Sequence, residues 1–223
     1  MSIIPRLLPH LIPPAVVALA VAVISHLVTL YFIPYVAMSR AFAGPAQQVG
    51  WNSPLSPPRP SAQSRAIVRP SPDLLYTICA YDVSQTPVEV AAPVPKGTYW
   101  SVALYSDNTD NYFVVNDKQA GPLGLVDFVI YLDGTKPPVG DLPKIKAPTR
   151  TGLVLFRTLI NDERKLGELE AARKETKCAP FAPEPVMVDV PTPQPKPTAT
   201  EPSTLPPTQP EPTPPANERT GQN

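Results

Sequence analysis

The sequence predicts a mainly β protein: one N-terminal membrane helix, an antiparallel β-sandwich or open barrel closed by a C-terminal helix, and a disordered proline-rich tail. Three observations predict it. No Asp, Glu, Lys or Arg stands between Arg6 and Arg40. Short apolar runs bounded by Pro, Gly, Asn and Asp follow one another from Leu74 to Ile160. Proline then dominates from Pro180 to Asn223, where it is interleaved with Thr, Gln and Glu. The predicted organisation is an N-terminal cytoplasmic stub with a transmembrane helix over 1–39, an extended linker over 40–70, a β-rich domain with a terminal helix over 71–178, and the tail over 179–223.

The first element follows from length and solvation. Pro14 to Ile33 is wholly uncharged, and at a 1.5 Å rise per residue it extends roughly 30 Å, the thickness of a bilayer's hydrocarbon layer. Pro13 and Pro14 suit a helix start and Pro34 a helix end, because a proline ring lacks the N–H that a helix interior uses. A cleaved signal peptide is the competing reading, with Ala41-Phe42-Ala43 as a small-residue cleavage site. Against it, signal apolar cores run about 7 to 15 residues. Residues 14–33 are therefore expected to lie in a lipid bilayer. The flanking basic residues, Arg6 before and Arg40 after, barely bias orientation. Two cysteines and a Pro/Thr tail favour an oxidising compartment for everything after the helix, which places the expected domain and tail in a periplasm with the N-terminus inside. His26 sits within the span, either as an intramembrane functional group or as a neutral imidazole bonded to Ser25, Thr29 or a carbonyl one turn away.

Residues 40–70 have no sustained apolar period and read as a linker, with Trp51 as an interfacial anchor or a packing contact. Strands are expected at 74–83, 87–92, 98–106, 111–117, 125–133 and 152–160, where β-branched and aromatic residues cluster between turn formers. In 98–106, Tyr99, Ser101, Ala103 and Tyr105 share one face and Trp100, Val102, Leu104 and Ser106 the other, the period of two that a partly buried strand requires. Asn161 to Lys177 reads as a helix, capped by Asn161 or Asp162, with Lys174 and Lys177 near its C-terminus. Proline density and few apolar residues leave the tail unable to form a core.

Composition excludes much. The 19 basic and 19 acidic residues cancel, so nucleic acid is not an expected partner. Both histidines, His10 and His26, lie in or beside the apolar segment. The β region thus lacks the imidazole of a Ser-His-Asp or Cys-His hydrolase and of a His-ligated metal centre. No P-loop, GxGxxG or CxxC occurs, and no cofactor is expected. The residues that could carry chemistry fall into two groups. Asp107, Asn108, Asp110, Asn111 and Asp117, with Asn116, offer oxygens to a hard cation such as Ca²⁺. Their spacing is not that of an EF-hand, and the favoured account is a turn built by Asp and Asn side chains. Asp73, Tyr76, Tyr99 and Arg157, with Tyr81 and Tyr105, could line a pocket for a polar or amphipathic ligand. The favoured account here is that Tyr suits pleated surfaces and that Arg157 pairs with a carboxylate such as Asp82 or Asp127.

Cys79 and Cys178 are expected to pair, given an even count and an oxidising compartment, with two buried thiols as the alternative. Such a bond would staple the terminal helix to the sheet and stabilise by up to ~4.7 kcal/mol in the chain-entropy account.

Several short motifs together resemble one family: Ser71-Pro72-Asp73-Leu74-Leu75-Tyr76, Tyr81-Asp82-Val83-Ser84, Gly97-Thr98-Tyr99-Trp100-Ser101, Asn108-Thr109-Asp110-Asn111 and Arg157-Thr158-Leu159-Ile160. The stretch from Ser71 to Cys178 is similar to the bacterial domain-of-unknown-function 1254 family. The resemblance implies a β-rich domain, ordinarily followed by a second β domain that the tail replaces here, as in short membrane-anchored alphaproteobacterial members. It implies no activity. The expected function is a membrane-anchored envelope module that binds an envelope protein, a cell-wall partner or a ligand. The alternatives are a periplasmic enzyme using the carboxylate and divalent-cation site, and an accessory subunit of a membrane complex.

Overall fold

Buried and half-buried positions alternate along Val88–Pro93 and along most of Leu74–Asp82, so each strand must bury one face and carry its other face outward. The computed structural model describes residues 4–64 and 70–182, and for residues 4–12 only the backbone. Its elements in chain order are α1 (Ile4–Val49), β1 (Ser53–Leu55), β2 (Leu74–Asp82), β3 (Val88–Pro93), β4 (Trp100–Ser106), β5 (Asn111–Asn116), β6 (Leu125–Leu132), β7 (Lys144–Ala147), β8 (Thr151–Leu159), α2 (Leu166–Lys174) and β9 (Lys177–Pro180), with a 3-10 turn at Glu163–Lys165. The disordered-tail expectation lies outside the described residues from 183 onward.

The strands form two sheets, in the orders β1-β2-β8-β4-β5 and β7-β6-β3-β9. Their inner faces meet in one core: Cys79, Tyr81, Trp100, Val102, Leu104, Val154 and Phe156 from the first sheet pack against Val88, Val90, Val126, Phe128, Ile130 and Cys178 from the second. The fold is therefore a sandwich rather than a barrel. All strand pairs are antiparallel except β6 with β7, which is parallel.

The six expected strands are present as β2, β3, β4, β5, β6 and β8. Three further strands went unforeseen. β1, β7 and β9 have three, four and four residues, too few for a period of two to stand out. They exist because a neighbouring edge supplies their hydrogen bonds. Cys178 thus lies on β9, and its disulfide to Cys79 on β2, with Cα atoms 6.5 Å apart, joins the two sheets. It does not staple the terminal helix, which stops at Lys174.

Two other expectations change. The apolar helix does not end at Pro34, and α1 continues to Val49. A proline inside a helix removes one hydrogen bond and costs about 3 kcal/mol in water. That cost is offset here by packing beyond it, where Met38, Ala41 and Phe42 are buried against Ala80 and Leu153 on the outer face of the first sheet. Burying a large apolar side chain contributes about 1.5–3 kcal/mol.

The linker expected over 40–70 is also largely structured. Residues 40–49 are helical and 53–55 form β1, while residues 65–69 lie outside the described residues. Gly50, at φ +88°, turns the chain out of α1, donating its N–H to the Ala46 carbonyl at 3.1 Å, as a left-handed helix cap does. Trp51 packs on Phe42, with ring centroids 5.8 Å apart. The Asn52 side chain then bonds both backbone groups of Asp82, at 3.0 and 2.7 Å. Further along, Arg59 bonds the Pro72 carbonyl and the Glu163 carboxylate. Arg173 of α2, its side chain only 7% exposed, donates to the carbonyls of Pro57 and Tyr76.

Within the core, the Tyr81 and Tyr112 hydroxyls meet at 2.8 Å. Burial pushes the Tyr81 phenol from 10.0 up to about 12, and burial followed by the neighbouring Tyr81 pushes Tyr112 higher still. The folded chain holds these protons more tightly than the unfolded chain, so stability is intact below the unfolded value and falls as pH rises through the folded one. The thermal midpoint is expected to be flat through neutral pH and to fall steeply between pH 10 and about 12. A midpoint that stayed level across that window would contradict the assignment.

Tyr81 also explains Gly152 on β8. A Cβ there would stand 2.0 Å from the Tyr81 hydroxyl and 2.4 Å from the Tyr105 carbonyl oxygen. Gly152→Ala is expected to cost about 3 kcal/mol or more, by overpacking that neither neighbour can relieve cheaply. Gly167→Ala on α2, where nothing lies within 4 Å, should instead add about 0.5–1 kcal/mol through helix propensity. Urea unfolding of the two variants checks both signs.

Candidate functional site

Three places on the sandwich gather polar side chains. The first is a cleft of about 520 Å³ at the end where β3, β5 and β8 finish, lined by Lys96, Thr98, Tyr99, Asp117, Gly121 and Asn161 among others. Its walls are held by backbone: Val94 N–H donates to the Gly124 carbonyl at 2.7 Å, and Asp117 N–H to the Trp100 carbonyl at 2.9 Å. The Asn161 amide donates to the Gly97 carbonyl at 2.6 Å, and the Thr98 hydroxyl to the Leu159 carbonyl at 2.6 Å. Gly97, at φ +74°, gives the lip a turn that a side chain would resist. The exposed Lys96 and the half-buried Asp117 give this cleft one cation and one carboxylate, with the Tyr99 ring between them in chain order.

The second place is the outer face of the first sheet. Tyr76 on β2 stands opposite Arg157 on β8, which stands opposite Ser101 on β4. One Arg157 nitrogen donates to the Tyr105 hydroxyl at 3.1 Å, and the Tyr99 hydroxyl donates to Ser101 Oγ at 2.9 Å. Tyr76, Tyr99 and Arg157 therefore share this face. Asp73 does not join them: it lies in the exposed turn before β2, its carbonyl accepting from Ile160 N–H. The Tyr76 hydroxyl is engaged by Ser71 N–H at 3.0 Å. Among the described residues no carboxylate pairs with Arg157. Asp82 and Asp127 lie elsewhere, Asp127 on the second sheet.

Asp127 belongs to the third place, beside Glu89 and Lys177. Lys177 bonds Glu89 at 2.6 Å, and Asp127 Oδ1 is buried without a hydrogen-bond partner among the described residues. Burial first, and then the Glu89 charge, raise the Asp127 carboxyl above its ordinary range, with Lys177 opposing. The sequence offers Asp127 only as a partner for Arg157; its place beside Lys177 comes from β3, where Ala91 stands opposite both residues in the pairings with β6 and β9.

The acidic and amide residues form a turn. Ser106 N–H donates to the Asp110 carbonyl at 3.0 Å, and Thr109, at φ +76°, donates its N–H to the Ser106 carbonyl. The Asn108 side chain bonds the Ser106 hydroxyl and the Asp110 carboxylate, and the Asn111 amide reaches the Leu104 carbonyl. Asp107 N–H bonds the Thr149 hydroxyl at 3.2 Å. Asp117 stands beyond the far end of β5, about 20 Å of strand away, and lines the cleft instead. Among the described residues no three of His, Cys, Asp and Glu come together as a metal-holding set. His26 lies exposed on α1, and the neighbouring hydroxyls of Ser25 and Thr29 turn onto the Ala22 and Ser25 carbonyls.

Comparison with known proteins adds a family but no chemistry. No curated protein matches the chain. Among solved structures it is similar to the VPA0106 protein from Vibrio parahaemolyticus, with 14% identity and a TM-score of 0.51 over 73% of this chain and 41% of that one. It is also similar to an uncharacterized protein from Burkholderia cenocepacia, with 20% identity and a TM-score of 0.38 over 60% and 37%. The Vibrio match concerns the fold alone, and this chain spans about two fifths of that protein's length. Residues 51–180, from the turn before β1 to the last residue of β9, match the family model described as "Protein of unknown function (DUF1254)". With more than half of its length matched, the chain belongs to the DUF1254 family.

Proposed function

We propose that the chain is a single-pass membrane protein whose β-sandwich stands outside the cytoplasm, in the bacterial envelope, as a non-catalytic module that binds a partner or ligand at the end cleft. One observation carries the anchoring: α1 is long and apolar enough to cross a membrane and runs without a break into the segment docked on the sheet. Val16, Leu19, Val23, Ile24, Leu27 and Leu30 lie bare on its surface, a face that water would penalise and lipid would not. A cleaved leader would take Met38 and Ala41 with it and strip the sheet of its cover. The Cys79–Cys178 bond supports an oxidising compartment, since cytosolic thiols are kept reduced.

The cleft is preferred as the binding place because it is concave and combines an aromatic ring, a lysine and a carboxylate on backbone-braced walls. The 106–111 turn consumes its own polar groups in local hydrogen bonds.

Two measurements test this reading. After alkaline carbonate extraction the protein is expected in the membrane pellet, and protease added to spheroplasts should degrade the sandwich; release into the supernatant, or protection from protease, would refute anchoring or orientation respectively. A photo-crosslinker in place of Lys96 should yield a discrete adduct in native membranes, lost on Tyr99→Ala. The same group in place of Glu168 on α2 should yield none. Equal labelling from both positions would remove the cleft from consideration.

A further inference from the structure

The arginines of this chain are satisfied in a pattern that Arg157 breaks. A guanidinium carries five N–H donors and no acceptor, and withdrawing it from water is costly unless an anion or several oxygens meet it. Arg59 bonds Glu163 and Arg164 bonds Asp162. The deeply buried Arg173 bonds Glu170 and two backbone carbonyls. Arg40 and Arg150 lie exposed. Arg157 is half-buried on β8, and among the described residues its side chain makes one hydrogen bond, to the Tyr105 hydroxyl at 3.1 Å. Of the arginines whose side chains are described, it alone is withdrawn from water without a carboxylate.

Its neighbours on the outer face of the first sheet add donors and no anion. The one acid within β2, β4, β5 and β8 is Asp82, which pairs in register with Thr151, six residues from Arg157 and about 20 Å of strand away. The Tyr105 hydroxyl already accepts from Arg157, so its remaining capacity is its own hydrogen. Tyr99 and Ser101 share a single bond at 2.9 Å; whichever hydroxyl donates, one hydrogen of that pair is left over. No acceptor meets these hydrogens among the described residues. The donors are also held in place. Arg157 stands opposite Ser101, so its bond to Tyr105 reaches over the row of Leu155 and Ala103, and Tyr99 folds onto Ser101. Ser101 and Ala103 are accordingly only 2% and 3% exposed, although both point away from the core.

We infer that this part of the outer face is an oxyanion site: the Arg157 guanidinium and the Tyr105 hydroxyl, with the Tyr99–Ser101 pair beside them, take the carboxylate or phosphate group of a ligand. An oxyanion only accepts, which is what a set of unspent donors requires. Arginine meets either group with two parallel N–H bonds. The Tyr105 bond spends one hydrogen of one terminal nitrogen, so one two-hydrogen edge of the fork stays whole. The site is separate from the end cleft, whose lining it shares only at Tyr99, and it depends neither on the cleft nor on the membrane anchor.

The test is thermal unfolding of the full chain in a non-ionic detergent, with chloride exchanged at constant ionic strength for sodium phosphate in one series and sodium acetate in another. A saturable rise of the midpoint is expected in at least one series, about 4 °C at tenfold excess over half-saturation. The series that shows it tells whether phosphate or carboxylate is the better ligand. Salt excluded from the protein surface raises every variant alike and without saturation, so the comparison between variants carries the result. Arg157→Gln is expected to abolish the saturable rise and Arg157→Lys to keep a weaker one. Tyr105→Phe, which keeps the ring and removes the hydrogen, should raise the half-saturating concentration at least threefold, while Arg150→Gln leaves it unchanged. An equal rise in Arg157→Gln, or no saturable rise with either anion in the unaltered chain, would overturn the site. Should Arg157→Gln not fold, an unchanged half-saturation in Tyr105→Phe would overturn it as well.

Discussion

The placement of α1 on this sandwich depends on one contact, the burial of Met38, Ala41 and Phe42 on Ala80 and Leu153, flanked by Ile78 and Tyr105. Without it α1 would be an apolar rod joined to the domain by a free hinge. With it, an internal proline is tolerated, the chain passes directly from helix to edge strand, and the outer face of the first sheet becomes a second small core. The contact also explains why Gly50 and Asn52 are needed where they stand: a left-handed cap and a side chain that imitates a strand partner return the chain to β2 within three residues of the helix end.

Much of the fold was legible in the sequence because its strands are long enough to repeat. In β4, Trp100, Val102 and Leu104 turn inward, and in β8 Val154 and Phe156 do the same, as period two requires. Elements whose structure is imposed from afar were not legible. β9 is four residues held by β3, and nothing in Lys177-Cys178-Ala179-Pro180 distinguishes it from the end of a helix. Residues 40–49 look like linker since Gly44 and Pro45 interrupt them and most of their apolar residues are alanines. Only the complementary face of the sheet makes them a helix with a buried side. Arg173 is similar: its guanidinium is fixed by the Pro57 and Tyr76 carbonyls, a pairing no local pattern announces.

The candidate site was legible in its parts and not in its grouping. Tyr76, Tyr99 and Arg157 are residue types that suit a ligand, and they do share a face, although it is the outer face of a sheet rather than an interior pocket. The run from Asp107 to Asn111 answers to turn chemistry, in which short polar side chains satisfy the backbone of a reversal containing a residue at positive φ. Asp117, close in sequence to that run, is carried by the length of β5 to the opposite end of the sandwich. There it meets Lys96 and Tyr99 from a different connection. Sequence proximity misleads here for a simple reason: a strand converts six residues into about 20 Å.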